Sequence, residues 1–157
     1  MADRDPENTI YMDLPQGRVV IELRPDIAPA HVNRIKELAR EGFYDGVPLH
    51  RVIDGFMAQT GDPTGTGSGG SKLPNLPAEF SKEHFARGTL GMARTSDPNS
   101  ANSQFFIMFA DGAFLDGNYT VFGKVRSGMD CVDQINKGEP PANPDKIVRL
   151  KVQKDIK

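Results

Sequence analysis

Cysteine occurs once in this chain, at Cys131, so no internal disulfide can form and packing alone must hold the fold. Cys131 lies four residues before Ile135 on a predicted helix, with no histidine or basic group beside it, and reads as a small core thiol rather than a nucleophile. Positive charge is not in excess: 19 Lys and Arg face 21 Asp and Glu, a formal charge of -2. No basic field exists to gather phosphates, so nucleic acid is not an expected partner. No apolar run has the length of a membrane span, and the opening MADRDPENT lacks the apolar stretch of a secretory signal, so a cytoplasmic protein is expected.

Familiar catalytic spacings are missing too. The three histidines, His31, His50 and His84, are far apart in sequence, none at ligand spacing, so neither a metal nor a cofactor is expected. No Gly-x-Ser-x-Gly occurs, which leaves a serine hydrolase without its nucleophile elbow. Asp111 and Asp116 each precede a glycine, and turn formation explains them better than a catalytic carboxylate pair.

What is present suits one soluble domain over residues 1–157, with residues 1–8 a polar amino-terminal extension: 38% of the chain is hydrophobic and 25% charged. Residues 9–14 and 18–23 alternate apolar and polar around Pro15-Gln16-Gly17, a first hairpin. Pro29 suits a first helical turn, Val32, Ile35, Leu38 and Ala39 form one stripe, and Gly42 ends the helix; His31 is expected exposed on it. A helical turn is expected at 81–85, a second helix at 128–136, and strands at 88–94, 103–109, 119–126 and 147–152. About eight strands with turn signals between most neighbours, and no β-α-β rhythm, predict an antiparallel sheet that closes on itself as a barrel with two helices.

The stretch 49–62, LHRVIDGFMAQTGD, carries the unusual cargo. Asp54-Gly55 between two apolar runs makes it a β-hairpin. A two-residue turn pairs Ile53 with Phe56 and Arg51 with Ala58; a three-residue loop pairs Ile53 with Met57 and Arg51 with Gln59. The second register sets a guanidinium and an amide together beside apolar walls, and it is preferred here because it makes a site. Residues 63–77 then form a long loop rich in Gly, Ser, Thr and Pro. Its Gly65-Thr66-Gly67-Ser68-Gly69-Gly70 matches a dinucleotide fingerprint only formally, because Pro74 and Pro77 forbid the helix that must follow. The glycines instead permit close backbone approach to something extended.

One fixed cation, amides and apolar walls, with no nucleophile or base, can bind a peptide and change its conformation without breaking bonds. Rotation about an X-Pro amide fits, since it moves no proton across its barrier of ~18–20 kcal/mol. Reaching the millisecond range takes about 10⁴- to 10⁵-fold, or roughly 5.5–7 kcal/mol. One charge-assisted hydrogen bond that strengthens on twisting, in a desolvated pocket, is of that size.

Four motifs in order make the reading specific: LHRVIDGFMAQ at 49–59, SQFFI at 103–107, FLDG at 114–117 and VFGKV at 121–125. The chain resembles the cyclophilin-type peptidyl-prolyl cis-trans isomerases from about Thr9 to its carboxyl end. The resemblance implies a mainly β fold, a closed eight-stranded antiparallel barrel capped by two α-helices, with the groove on its outer side. It implies isomerisation of X-Pro bonds in proline-containing peptides and proteins, assisting folding, by a monomer. Arg51 would be catalytic, with Gln59 beside it. Phe56, Met57, Phe106 and Leu115 would form the proline pocket, with Phe114 and Tyr119 at positions where the family's substrate contacts fall. Gly67, Ala93, Arg94, Thr95 and Gln104 would flank the residues preceding proline. Phe105 is expected inside the barrel.

Departures from the family's pattern are Leu49 for phenylalanine, Phe114 for tryptophan, Tyr119 for histidine and Arg94 for asparagine, with MART at 92–95 similar to bacterial members. They imply active isomerisation with weak cyclosporin binding. The competing class is a proline-segment binding module or holdase with incidental catalysis; Arg51 favours the enzyme, because recognition alone needs no buried cation.

Overall fold

The structure is a computed structural model and describes residues 6–156. Most of the expected amino-terminal extension, residues 1–5, lies outside the described residues, and Pro6–Asn8 form a short 3-10 turn. Glu7 and Asn8 both accept hydrogen bonds from Lys36 Nζ, at 2.9 and 3.0 Å, so this end of the chain is tied to the first helix.

Eight strands make one antiparallel sheet: β1 (Thr9–Leu14), β2 (Gly17–Leu23), β3 (Arg51–Ile53), β4 (Met57–Thr60), β5 (Thr89–Met92), β6 (Phe105–Met108), β7 (Val121–Ser127) and β8 (Arg149–Val152). Their spatial order is β3-β4-β6-β5-β7-β2-β1-β8. The sheet curls, but its edge strands β3 and β8 form no ladder with each other. The seam is crossed just ahead of them, where Pro48 bridges Lys146 and Leu49 N donates to Asp145 O at 2.8 Å. The eight antiparallel strands therefore match the expectation, while full closure by strand pairing gives way to a curled sheet with a short main-chain clasp.

Helix α1 (Pro29–Arg40) lays Val32, Ile35, Leu38 and Ala39 on the interior, as its stripe requires. Helix α2 (Met129–Asp133) is shorter than the expected 128–136, and 81–85 is irregular rather than helical. The strands expected at 88–94, 103–109 and 147–152 are likewise trimmed at their ends, where the chain turns to form loops. Inside the curl, Ile10, Met12, Val19, Ile21, Leu90, Phe105, Ile107, Phe122 and Leu150 pack with the inner face of α1. Cys131 is half-buried at the margin of this core, where burial pushes its thiol pKa up.

His31 corrects the sequence reading: it is fully buried, not exposed. Glu79 reaches in from the long loop to accept from the Ala30 and His31 main-chain N–H groups at 3.2 and 3.0 Å, with His31 Nδ1 2.6 Å from its carboxylate. Ala28 cannot cap α1 with its side chain, so a remote carboxylate satisfies the free N–H groups and complements the helix dipole. Burial lowers the His31 pKa despite Glu79.

Candidate active groove

The β3–β4 hairpin has the three-residue loop: Arg51 pairs with Gln59, Val52 with Ala58 and Ile53 with Met57. Gly55 sits at φ +75°, a conformation that favours glycine at this turn. Pairing continues outward, Gln59 opposite Phe106 on β6 and Phe106 opposite Gly91 on β5. Directly paired residues of antiparallel strands share a face. One row across four strands thus carries a cation, an amide, an aromatic ring and a gap. The next row outward is Ile53, Met57 and Met108.

The gap has a purpose in the packing. A Cβ on Gly91 would stand 2.7 Å from Phe106 Cζ and 2.6 Å from Phe85 Cε2, so only glycine lets both rings lie down on β5. Phe85 and Phe106 stack with centroids 5.7 Å apart, and Tyr119 meets Phe106 edge-on at 5.9 Å. With Met57, Met108, Leu115 and Val121 they form a small hydrophobic cluster on the outer face, separate from the interior core.

A hollow of about 140 Å³ opens onto this cluster, lined by Arg51, Phe56, Met57, Gln59, Ala93, Arg94, Phe106, Leu115 and Tyr119. Arg51 is not the buried cation expected: its side chain is 44% exposed, and it lies along the edge of the hollow with its guanidinium tethered. Phe114 is not part of this lining. It stands 70% exposed at the rim, its ring 5.6 Å from that of Phe56. Arg94 donates to Asn118 O at 2.6 and 3.2 Å and lies 4.5 Å over the Tyr119 ring, so it fixes that ring as a wall.

Beside the hollow runs a wider cleft of about 540 Å³ that includes Gly67, Thr95 and Gln104 with Ala93, Arg94 and Gln59. A directed chain of hydrogen bonds links the two. Arg51 Nη1 donates to Gln59 Oε1 at 3.3 Å, Gln59 Nε2 to Gln104 Oε1 at 2.9 Å, and Gln104 Nε2 to the carbonyls of Gly67 and Gly69 at 2.9 and 2.8 Å. The cation sets the orientation of both amides. Each expected site residue except Phe114 therefore meets one of two joined cavities.

Two contributors carried no weight in the sequence reading. Asp62 is fully buried and accepts from the N–H groups of Thr64, Thr66, Gly67 and Gly69 at 2.7–3.1 Å, moulding the glycine loop around one carboxylate. Burial acts to raise its pKa, but the hydrogen bonds from Thr64, Gly69 and Gly67 outweigh it and hold the group far below the usual carboxylate range. The Asp-x-Thr-x-Thr run at 62–66 was the available signal, since Asp beside turn residues caps its own backbone. Buried Tyr44 donates to Ser103 O at 2.8 Å and so sets the chain entering β6 just before Gln104. Asp116, read as a turn residue, also ties the loops of the outer cluster: it accepts from Phe85 N at 2.7 Å and meets His84 Nδ1 at 2.7 Å.

A solvent-facing apolar hollow edged by a tethered guanidinium and flanked by an extended polar cleft has the shape of a groove for an extended peptide. Residues 9–152 match the family described as cyclophilin type peptidyl-prolyl cis-trans isomerase/CLD. The chain belongs to that family, and it is a peptidyl-prolyl cis-trans isomerase. It is 58% identical to a probable peptidyl-prolyl cis-trans isomerase of Brucella suis, over 98% of this chain and 86% of the relative. It is 40% identical to the peptidyl-prolyl cis-trans isomerase-like 1 protein of Aspergillus fumigatus, over 91% of this chain and 94% of that one. Among solved structures, cyclophilin AquaCyp293 of Hirschia baltica superposes with a TM-score of 0.90 at 31% identity, covering 98% of this chain and 76% of that one. A Cryptosporidium parvum cyclophilin crystallised in the presence of the dipeptide Ala-Pro superposes with a TM-score of 0.85 at 28% identity, covering 92% of this chain and 98% of that one.

Proposed function

We propose that this isomerase seats the substrate prolyl ring in the hollow of Phe56, Met57, Phe106, Leu115 and Tyr119 and drives rotation of the preceding amide through Arg51. The observation that carries the reading is the row Arg51, Gln59, Phe106: it sets a cation beside an apolar floor on one face of the sheet. Arg51 Nε and Nη1 are engaged by Glu139 and Gln59, and among the described residues Nη2 has no protein partner. That free donor grips the proline carbonyl and approaches the prolyl nitrogen, whose lone pair localises and becomes a better acceptor as it loses conjugation. The ring sits away from water while the residues before it lie extended along Ala93, Thr95, Gln104 and Gly67. Water near the half-exposed guanidinium weakens the charge effect relative to a sealed site, so the apolar floor and the fixed carbonyl share the barrier lowering.

The same reading extends to clients and inhibitors. Slow X-Pro isomerisation in folding chains supplies the substrates, and the protein acts on them as a monomer, since both cavities are formed by one chain. Cyclosporin binds weakly, because Phe114 offers no indole N–H and stands at the rim rather than in the wall.

Exchange spectroscopy on an Ala-Ala-Pro-Phe peptide tests this directly. The native protein speeds cis-trans exchange, and Arg51→Ala keeps peptide affinity within a few-fold while losing the acceleration. Binding by the native protein without faster exchange would instead make the groove a proline-segment holdase.

A further inference from the structure

A third cavity adjoins the groove on the far side of Arg51. It encloses about 610 Å³ and is lined by His50, Arg51, Gln59, Gly65, Thr66, Gly67, Glu139 and Pro140. It shares Arg51 and Gln59 with the proline hollow and Gly67 with the long cleft, so the three form one branched groove.

Glu139 is held in this arm by the backbone. Val52 and Gly138 exchange two main-chain hydrogen bonds of 2.8 Å, which clamp the segment against the residue next to Arg51. Gly138 also bridges Pro141, so the chain doubles back and points the intervening residues at β3. Glu139 Oε1 lies 3.3 Å from Arg51 Nε, while among the described residues Oε2 takes part in no hydrogen bond. The side chain is 58% exposed, so that second oxygen is open to a ligand.

The remaining titratable group of the arm carries no competing charge. His50 is 6% exposed, and neither ring nitrogen has a hydrogen-bond partner among the described residues. Burial, aided by Arg51, lowers its pKa against the attraction of Asp62, which is itself buried and committed to the glycine loop. His50 is therefore a neutral wall at pH 7. Arg51 is engaged on two of its nitrogens and gives the third to the proline carbonyl, which leaves Glu139 Oε2 as the open charged atom of the arm.

We propose that Glu139 is a specificity-determining residue: its free oxygen selects substrates with a cationic side chain, lysine or arginine, within the two residues that follow proline. This rests on the assignment of Arg51 to the proline carbonyl. That carbonyl carbon is bonded to the nitrogen of the next residue, so a chain leaving Arg51 away from the Gln104 cleft enters the arm beside Glu139. An ammonium or guanidinium bound at Oε2 leaves the Oε1 contact to Arg51 in place, whereas an acidic side chain there meets a like charge.

The test is exchange spectroscopy on matched peptides with Lys, Gln or Glu placed one or two residues after proline, and on a second set with the same changes before it. The native protein should rank Lys over Gln over Glu at a following position. An exposed ion pair of about 0.2–1 kcal/mol sets the Lys-over-Gln ratio of kcat/KM at up to about fivefold. Glu139→Gln should erase the ranking and Glu139→Lys should reverse it, and added salt should flatten it in the native protein. Acceleration of all peptides with no charge ranking, a ranking confined to the preceding positions, or one that persists in Glu139→Gln would overturn the charge selection and leave the isomerase reading intact. No acceleration of any peptide would overturn both.

Discussion

Phe105 and Phe106 are neighbours on β6, both nearly sealed from solvent, yet they belong to different parts of the molecule. Phe105 points inward to Tyr44 and Phe122, with ring centroids 5.5 and 5.9 Å away, inside a core that every strand and both helices close. Phe106 points outward onto Phe85, under a hollow that stays open. The two faces of one strand are built to different ends. The inner face is filled to completion, and the outer face is packed from below and left unfilled above, beside a cation.

The largest effect that separates the faces is expected at position 105. Phe105→Ala should cost about 3–5 kcal/mol in urea denaturation while the remaining native protein keeps its kcat/KM. Phe106→Ala should lower kcat/KM of the native fraction as well, because it removes the floor of the hollow. Equal loss of activity per native molecule in the two variants would erase the distinction. Next comes the cation. Arg51→Ala should lower kcat by roughly 10²- to 10³-fold, the scale of one lost transition-state donor, with little change in the urea midpoint because the side chain is half exposed. A smaller effect is expected at Gly91, where alanine forces the Phe85 and Phe106 rings apart; overpacking of about 1–3 kcal/mol should appear with a raised KM. A crystal structure of Gly91→Ala with the ring stack unmoved would refute that link.

The pH response is the gentlest probe and again divides stability from activity. Burial lowers the pKa of both His31 and His50, with Glu79 and Asp62 opposing it. Below about pH 6.5 the unfolded chain takes up these protons before the folded chain does. Stability from the two groups is therefore complete above that value and is lost as pH falls through their depressed folded values. The urea midpoint should decline from pH 7 to pH 5, and histidine resonances in the native state should titrate late. The exchange rate constant of the native protein should stay flat between pH 6 and 8, since amide rotation moves no proton. A bell-shaped profile there would bring an acid or base into the mechanism.

How far the sequence reached follows from the range of each interaction. The hairpin at Asp54-Gly55 was legible from residues within reach of each other, but its register was not: local signals allowed two pairings, and the Arg51–Gln59 pairing that forms was preferred only because it makes a site. The inward stripe of α1 was legible because periodicity is a local property, whereas the inward Phe105 was expected from the family resemblance. His31 was misread because its partner Glu79 is 48 residues away, on a loop with no periodicity to betray it. Phe114 was expected among the substrate contacts from its motif; the 3-10 turn Ala113–Leu115 sends Leu115 into the cluster and leaves Phe114 at the rim.

By itself the sequence determined the alternation that makes one face of each strand apolar, the hairpin at Asp54-Gly55, and the family to which the chain belongs. Only the tertiary structure decided that the sheet curls without a β3–β8 ladder, that Asp62 moulds the glycine loop, and that Glu139 stands beside Arg51 from 88 residues away. The reason is physical: side-chain periodicity is written in neighbours, whereas the meeting of remote charges depends on how the whole sheet bends. A carboxylate's partner cannot be read until the chain that carries it has come back.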